Sequence, residues 1–269
     1  MRARGSYARD MEWAEEFYSR TGGWWVEAES GVGDRDRGRV AGLHRVCGPE
    51  PKRVLELGCG YGNTAAAFAE AGHEVVGVEL SSRAERALAH AERFGPERMR
   101  IVHGDFYTAA VEGPFDAVVY WNGFGIGSDA DQRRLLRRIA AWLAPGGTAL
   151  VDVFNPLVWA GWDGDLELLK ADPERGYHHE LRQSTAYDPV TATAVDTWWD
   201  TAEPDRRITQ RIRCYSPADL RLLLEGTGLA LEGLLVGDDP LDPAADHAGN
   251  AALLRERHEY LAVLGTDGA

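Results

Sequence analysis

The chain has 269 residues, of which 27% are charged and 44% hydrophobic, and a formal net charge of −14. That is the composition of a soluble globular protein with one large core or a core carrying an insertion, and so acidic a surface disfavours nucleic acid as a partner. No run approaches the ~20 apolar residues of a membrane span, and Met1 to Asp10 has no apolar signal core, so a cytoplasmic protein without a membrane partner is expected.

Residues 10–20 read as an amphipathic helix with Trp13, Phe17 and Tyr18 in one apolar sector, broken by Gly22-Gly23. A second helix is expected over 34–46, with Val40, Leu43 and Val46 inward, and Pro49-Glu50-Pro51 closes this N-terminal segment. The apolar run around Val54, Leu55 and Leu57 reads as a parallel strand buried on both faces. It stops at Gly58, Gly60 and Gly62, which let a ligand lie against bare backbone, and an alanine-rich helix follows from Asn63 to Glu70. Strand, glycine turn and helix form a nucleotide-binding unit.

A second buried strand runs from Glu74 to Glu79, and Ser81 is expected to cap a helix over 82–93. Met99 to His103 is a third strand, Phe115 to Tyr120 a fourth, and Thr148 to Phe154 a fifth, after a helix over 129–143 closed by Pro145-Gly146-Gly147. Strands alternating with helices imply a parallel sheet whose carboxyl ends share one ligand edge. Between Asn155 and Tyr215 the pattern changes to three alternating runs, 179–187, 193–200 and 207–215, separated by the turns Tyr187-Asp188-Pro189 and Glu203-Pro204-Asp205. A helix over 217–226 and strands over Leu229 to Val236 and Glu259 to Leu264 finish the chain, with an acidic, alanine-rich loop from Gly237 to Asn250.

The glycine stretch Glu56-Leu57-Gly58-Cys59-Gly60-Tyr61-Gly62 resembles motif I of the class I S-adenosylmethionine-dependent methyltransferases, written E/D-x-G-x-G-x-G. The resemblance is specific over residues 50–155 and looser over 215–264. Asn63 stands where a dinucleotide fingerprint would have its third glycine, which argues against a nicotinamide enzyme. The resemblance implies an α/β, Rossmann-like, seven-stranded and mostly parallel sheet with helices on both faces. The expected organisation is an N-terminal helical lid (1–50), an S-adenosylmethionine-binding core (51–154 and 216–269), and an antiparallel cap inserted after the fifth strand (155–215). The near absence of lysine, only Lys52 and Lys170, with abundant alanine, glycine and aspartate, points to a GC-rich coding source such as an actinomycete, while the resemblance implies a small-molecule enzyme of specialised metabolism, with antibiotic biosynthesis as the expected setting.

The resemblance further implies that the amino-acid end of S-adenosylmethionine lies over Gly58, Cys59, Gly60 and Gly62, next to Asn63 and Thr64, with Glu56 favouring its ammonium. Glu79 accepts both ribose hydroxyls, Leu80 packs on adenine beside Ser81, and Asp105 bonds the adenine amino group between Gly104 and Phe106. Tyr120, Trp121 and Asn122 stand at the mouth where cofactor meets acceptor. Methyl transfer needs alignment in a dry pocket more than strong acid–base help. For a base, the candidates are His178, His179 and Tyr18, with His103 and Tyr215 behind them. Nine tryptophans suggest an aromatic-walled pocket for an aromatic or polyketide-like acceptor, drawn from Trp24, Trp25, Phe124, Trp159, Trp198 and Tyr215. Cys47, Cys59 and Cys214 have neither disulfide nor metal spacing, and no metal is expected. The expected activity is O-, N- or C-methylation of a small molecule by a monomer or homodimer, with demethylated S-adenosylhomocysteine as product. A same-fold cyclase or decarboxylase, and a regulatory binding module, are the alternatives.

Overall fold

The computed structural model describes residues 4–242 and 247–266, with side chains from residue 13 onward. Helices α1 (Arg4–Glu29) and α2 (Asp34–Cys47) precede β1 (Arg53–Leu57), α3 (Asn63–Glu70), β2 (Glu74–Glu79), α4 (Ala84–Phe94) and β3 (Met99–His103). Next come β4 (Phe115–Phe124), α5 (Asp129–Trp142), β5 (Leu143–Phe154), α6 (Pro156–Trp159), β6 (Leu166–Leu169), β7 (Leu181–Asp188), β8 (Thr193–Asp200) and β9 (Ile208–Arg213). The chain closes with α7 (Pro217–Leu224), β10 (Leu229–Val236), β11 (Asp239–Pro240), α8 (His247–Glu256) and β12 (Glu259–Thr266).

One sheet has the order β11-β10-β12-β5-β4-β1-β2-β3. Its β1–β5 members pair in parallel, and β12 and β10 join antiparallel. Seven of its strands are the expected ones, and the two-residue β11 adds an eighth at the edge. Alternation along β1 sends Leu55 and Leu57 to the layer of α5 and α7, while Val54 joins Val119 and the alanines of α3 on the other side. Glu56 falls on the α3 side by the same alternation and is buried there. Because β1 lies between β2 and β4, its neighbours' connections diverge, and a crevice opens at the carboxyl ends of these strands.

A separate antiparallel sheet, β6-β7-β8-β9, stands above that crevice. Phe17 and Trp24 of α1 bury against its Leu181, Trp198 and Ile208, so the N-terminal helix and the small sheet share a core. An isolated bridge from Ile126 to Ile212 ties the β4 loop to β9.

Four local expectations change. Gly22-Gly23 does not break the first helix, which continues to Glu29. Gly22 is buried, its carbonyl accepts the Tyr61 hydroxyl at 2.7 Å, and a Cβ there would stand 2.8 Å from the Arg83 side chain. Close packing thus outweighs the ~1 kcal/mol helix cost of glycine. Ser81 does not cap α4, which starts at Ala84. Its N–H and hydroxyl both donate to Glu79 Oε1, at 2.8 and 2.6 Å, because a buried carboxylate is the stronger acceptor. The cap has a fourth strand, β6, on its exposed edge; four residues reading Leu-Glu-Leu-Leu give too short a pattern to register alone. The segment expected as a loop over 237–250 contains β11 and the start of α8, and its residues 243–246 lie outside the described ones. Among the described residues, no helix is long and apolar enough to cross a membrane, and no group of three His, Cys, Asp or Glu side chains could hold a metal.

Candidate functional site

At the end of β1 the chain turns through Gly58, Gly60 and Gly62, with φ of 61°, 56° and 78°. Only glycine enters this left-handed region without cost. Gly62 is the N-cap of α3, so the unpaired N–H groups of that helix open toward the same space. A Cβ on Gly60 would meet nothing within 4 Å, whereas one on Gly62 would lie 2.8 Å from Ala87 of α4. The middle glycine therefore keeps the cavity open and the last one lets two helices approach.

Two carboxylates flank this turn. Glu79, at the end of β2, accepts from Gly60 N–H at 2.7 Å through Oε2 and from Ser81 through Oε1. Glu56 is 2% exposed, and its Oε2 has no hydrogen-bond partner. Burial pushes its carboxyl up to about 8, with Arg39 opposing the shift. Such an orphaned buried acceptor fits a cationic donor that enters from the cavity. Behind it, Asp36 accepts from Thr64 Oγ1 at 2.7 Å, and Arg39 donates to the same Thr64 at 3.1 Å while lying 5.1 Å over the Trp121 ring. Farther back, Asp152 is also held up to about 8, by burial and then by Glu259.

These groups line a cavity of about 720 Å³. Its walls include Glu56, Gly58, Cys59, Gly60, Asn63, Thr64, Glu79, Leu80, Asp105, Phe106, Tyr120, Trp121 and Asn122. Asp105 Oδ1 accepts from Tyr107 N–H at 2.8 Å, which fixes the carboxylate after β3. The Tyr120 hydroxyl donates to Gly123 O at 2.7 Å, and its ring meets Phe106 edge-on. Gly62, Ser81 and Gly104 shape the wall from behind without lining it. Asn122 is one of two described non-glycine residues at positive φ, 52°, and stands at the mouth.

A second cavity of about 350 Å³ adjoins the first. Both are lined by Tyr18, Trp25, Arg83, Asn122 and Trp198, which form the neck between them. Trp159 lines the second cavity, and Trp25 meets Trp198 edge-on at 5.2 Å. The remaining acceptor candidates lie elsewhere. Trp24 is buried between α1 and the small sheet, Phe124 is fully buried in the main core, and the Tyr215 hydroxyl is spent on Asp129 at 2.7 Å.

The base candidates also separate. His178 is half exposed, pairs with Glu27 at 2.7 Å and lines neither cavity. His179 reaches the first cavity, with Nδ1 held by Asp200 at 2.6 Å. Tyr18 is at the neck, but its hydroxyl donates to Gln210 Oε1 at 3.2 Å and burial raises it far above an ordinary phenol. It is a held donor, poorly suited to act as a base near neutral pH.

Sequence reasoning missed Asp36, Arg39 and Arg83. Asp36 and Arg39 sit on α2 and Arg83 in the turn before α4, and packing alone sets which side of each faces the cavity. Arg83 donates to Thr21 Oγ1 at 2.8 Å and lies over the rings of Tyr18 and Tyr61, at 5.5 and 5.1 Å. Its position four residues after Glu79 was the only available signal.

Residues 34–234 match a family model described as a methyltransferase domain. The chain is 35% identical over 116 residues to the cypemycin N-terminal methyltransferase of a Streptomyces species, covering 42% of this chain and 46% of that one. It spans about half the length of the curated relatives it first matches. Among solved structures it is similar to the CcbJ methyltransferase of Streptomyces caelestis, with a TM-score of 0.66 at 23% identity over 86% of this chain and 90% of that one. It is also similar to the Burkholderia thailandensis 1,6-didemethyltoxoflavin-N1-methyltransferase, with a TM-score of 0.59 at 19% identity over 99% and 91%. At these identities the structural likeness speaks for the fold.

Proposed function

Because this chain belongs to the methyltransferase-domain family, we propose that it moves the methyl group of S-adenosylmethionine to a small-molecule acceptor. When bound, that cofactor supplies an electrophilic methyl on a positively charged sulfur. The observation that carries the reading is the pairing of two acids at the ends of adjacent strands. Glu56 offers a buried oxygen without a partner, and Glu79 is fastened to the glycine turn; both face one cavity.

In this reading Glu56 takes the ammonium of the amino-acid end, and the N–H groups at the start of α3 take its carboxylate. Glu79 keeps one lone pair, on Oε2, for a ribose hydroxyl, since a carboxylate has about four acceptor sites and three are used. Leu80 and Phe106 flank the adenine, with Asp105 toward its amino group. Tyr120, Trp121 and Asn122 close the cofactor cavity, and the neck at Tyr18, Trp25 and Trp198 aligns the acceptor with the methyl. Trp159 lines the acceptor side.

The cypemycin relative is named for a peptide terminus and the Burkholderia structure for toxoflavin, so one fold serves unrelated acceptors. The acceptor then follows from the small sheet rather than from the glycine turn. Isothermal titration with S-adenosylhomocysteine tests the reading, with a nicotinamide dinucleotide as control. Binding of the first and not the second is expected; the reverse would end this assignment. Transfer itself is read as a gain of one methylene in acceptor mass.

A further inference from the structure

We propose that the second cavity selects an acceptor carrying a protonated amine, so that the chain is an N-methyltransferase. This rests on the S-adenosylmethionine reading above. It comes from the face that the small sheet turns toward that cavity. Register aligns Glu167 with Gln183, Gln183 with Trp198, Thr185 with Asp196, and Asp196 with Gln210. Asp165 joins the second row through its backbone bond with Thr185, whose N–H donates to Asp165 O at 3.0 Å. The inward face of a sheet is ordinarily apolar. These two rows carry three carboxylates and two amides and no basic residue.

Asp196 decides how the amides point. It is 2% exposed and accepts from Gln183 Nε2 at 2.8 Å, Gln210 Nε2 at 2.8 Å and Trp198 Nε1 at 2.7 Å. A carboxylate only accepts, so both amides must give it their NH₂ groups and turn their carbonyl oxygens the other way. Gln210 Oε1 then receives the Tyr18 hydroxyl. The cavity is thus offered acceptors: amide oxygens, the Thr185 hydroxyl, and the exposed Asp165 and Glu167 at its rim. An ammonium group is donor-only and complements such a surface. The facing wall is aromatic, from Trp25, Trp159 and Trp162, and attracts cations by its ring faces.

Two basic groups also border the space. His258 packs among Phe154, Trp159 and Trp162, and Arg83 stands at the neck over Tyr18 and Tyr61. The exposed carboxylates thus stand at the rim and the Arg83 guanidinium at the neck. An amine enters as ammonium, held by the rim carboxylates, loses its proton to water as it nears the Arg83 guanidinium, and reaches the neck neutral. There its nitrogen lone pair forms the new bond to the methyl carbon as the sulfur–carbon bond breaks. The bonding electrons stay on sulfur, which leaves as a neutral thioether, and the product is a methylammonium.

The test is calorimetry on the full chain saturated with S-adenosylhomocysteine, using phenethylamine, 2-phenylethanol and phenylacetate as probes of equal frame and different charge. Phenethylamine should bind about tenfold tighter than the alcohol, and phenylacetate weakest. In the double variant Asp165→Asn, Glu167→Gln the preference should shrink to about threefold or less, as expected for partly screened rim charges. Both positions are exposed, so circular dichroism should show an intact fold. Equal binding of all three probes, binding of none, preference for the carboxylate, or an unchanged preference in the variant would each overturn the proposal. If S-adenosylhomocysteine binds and the amine preference is missing, only this proposal falls. If S-adenosylhomocysteine does not bind, the underlying reading falls.

Discussion

The Glu79 carboxylate accepts the backbone N–H of Gly60 at 2.7 Å, so the acid that ends β2 is fastened to the glycine turn that ends β1. One bond thereby sets the distance between the two groups proposed to hold the ribose and the amino-acid end of one ligand. The carboxylate is also pinned by Ser81, which leaves it no rotamer freedom to lose on binding.

Replacing Glu79 with alanine should weaken S-adenosylhomocysteine binding roughly hundredfold or more, since a charge-assisted hydrogen bond to the ribose is lost together with the bond that fastens Gly60. Glu79→Gln should fall between the two, because the amide keeps one acceptor. Titration calorimetry reads both. An alanine variant within about threefold of the parent would remove Glu79 from the cofactor site.

Glu56 makes stability and binding depend on pH in opposite senses. Its folded carboxyl is raised from 4.5 to about 8 by burial. The folded state therefore holds the proton more tightly, and the free protein loses stability as pH rises from 4.5 toward about 8. Asp152, raised for the same reason, acts in the same direction. Cation binding needs the ionised form, so affinity should rise up to about tenfold per pH unit below that value, with proton release. Glu56→Gln should melt higher than the parent at pH 8 and bind S-adenosylhomocysteine more weakly. Melting curves at pH 6 and 8 that do not differ between the two proteins would contradict this.

The glycines should divide by function. Gly62→Ala drives a Cβ to 2.8 Å from the Ala87 backbone at a φ of 78°, and should cost about 2–4 kcal/mol of stability. Gly60→Ala meets open space and should cost only about 1–2 kcal/mol of backbone strain while raising the KM for S-adenosylmethionine. Chemical denaturation beside steady-state kinetics separates the two; the opposite ranking in stability would count against this geometry.

Tyr18→Phe tests whether the neck hydroxyl is a base. A phenol that donates to Gln210 and is held protonated by burial should matter only for position. The pH–rate profile should keep its shape, with kcat reduced by about tenfold or less. Loss of a limb from that profile would restore Tyr18 as the base.

The glycine-turn end of the first cavity was readable from the chain because its information is local. Glu56, Gly58, Gly60, Gly62 and Glu79 sit at fixed offsets from strand ends, and strand ends follow from short apolar runs. The length of α1 was not readable, because Gly22 gains its place from Arg83 and Tyr61, which approach from elsewhere. Phe124 and Tyr215 look like pocket aromatics in sequence and are core in the fold, since the face of a strand or loop that meets solvent depends on what packs against it.

By itself the sequence determined the alternating strands and helices, the glycine turn and the two acids that flank it. Periodicity and backbone sterics act over a few residues and need no partner. Only the tertiary structure decided the second cavity: the edge strand β6, the neck at Arg83 and Trp198, and the acidic face built on Asp196. The sheet residues depend on the register between successive strands, and a shift of one residue would turn Asp196 and Trp198 away; Arg83 depends on how α1 packs beside it.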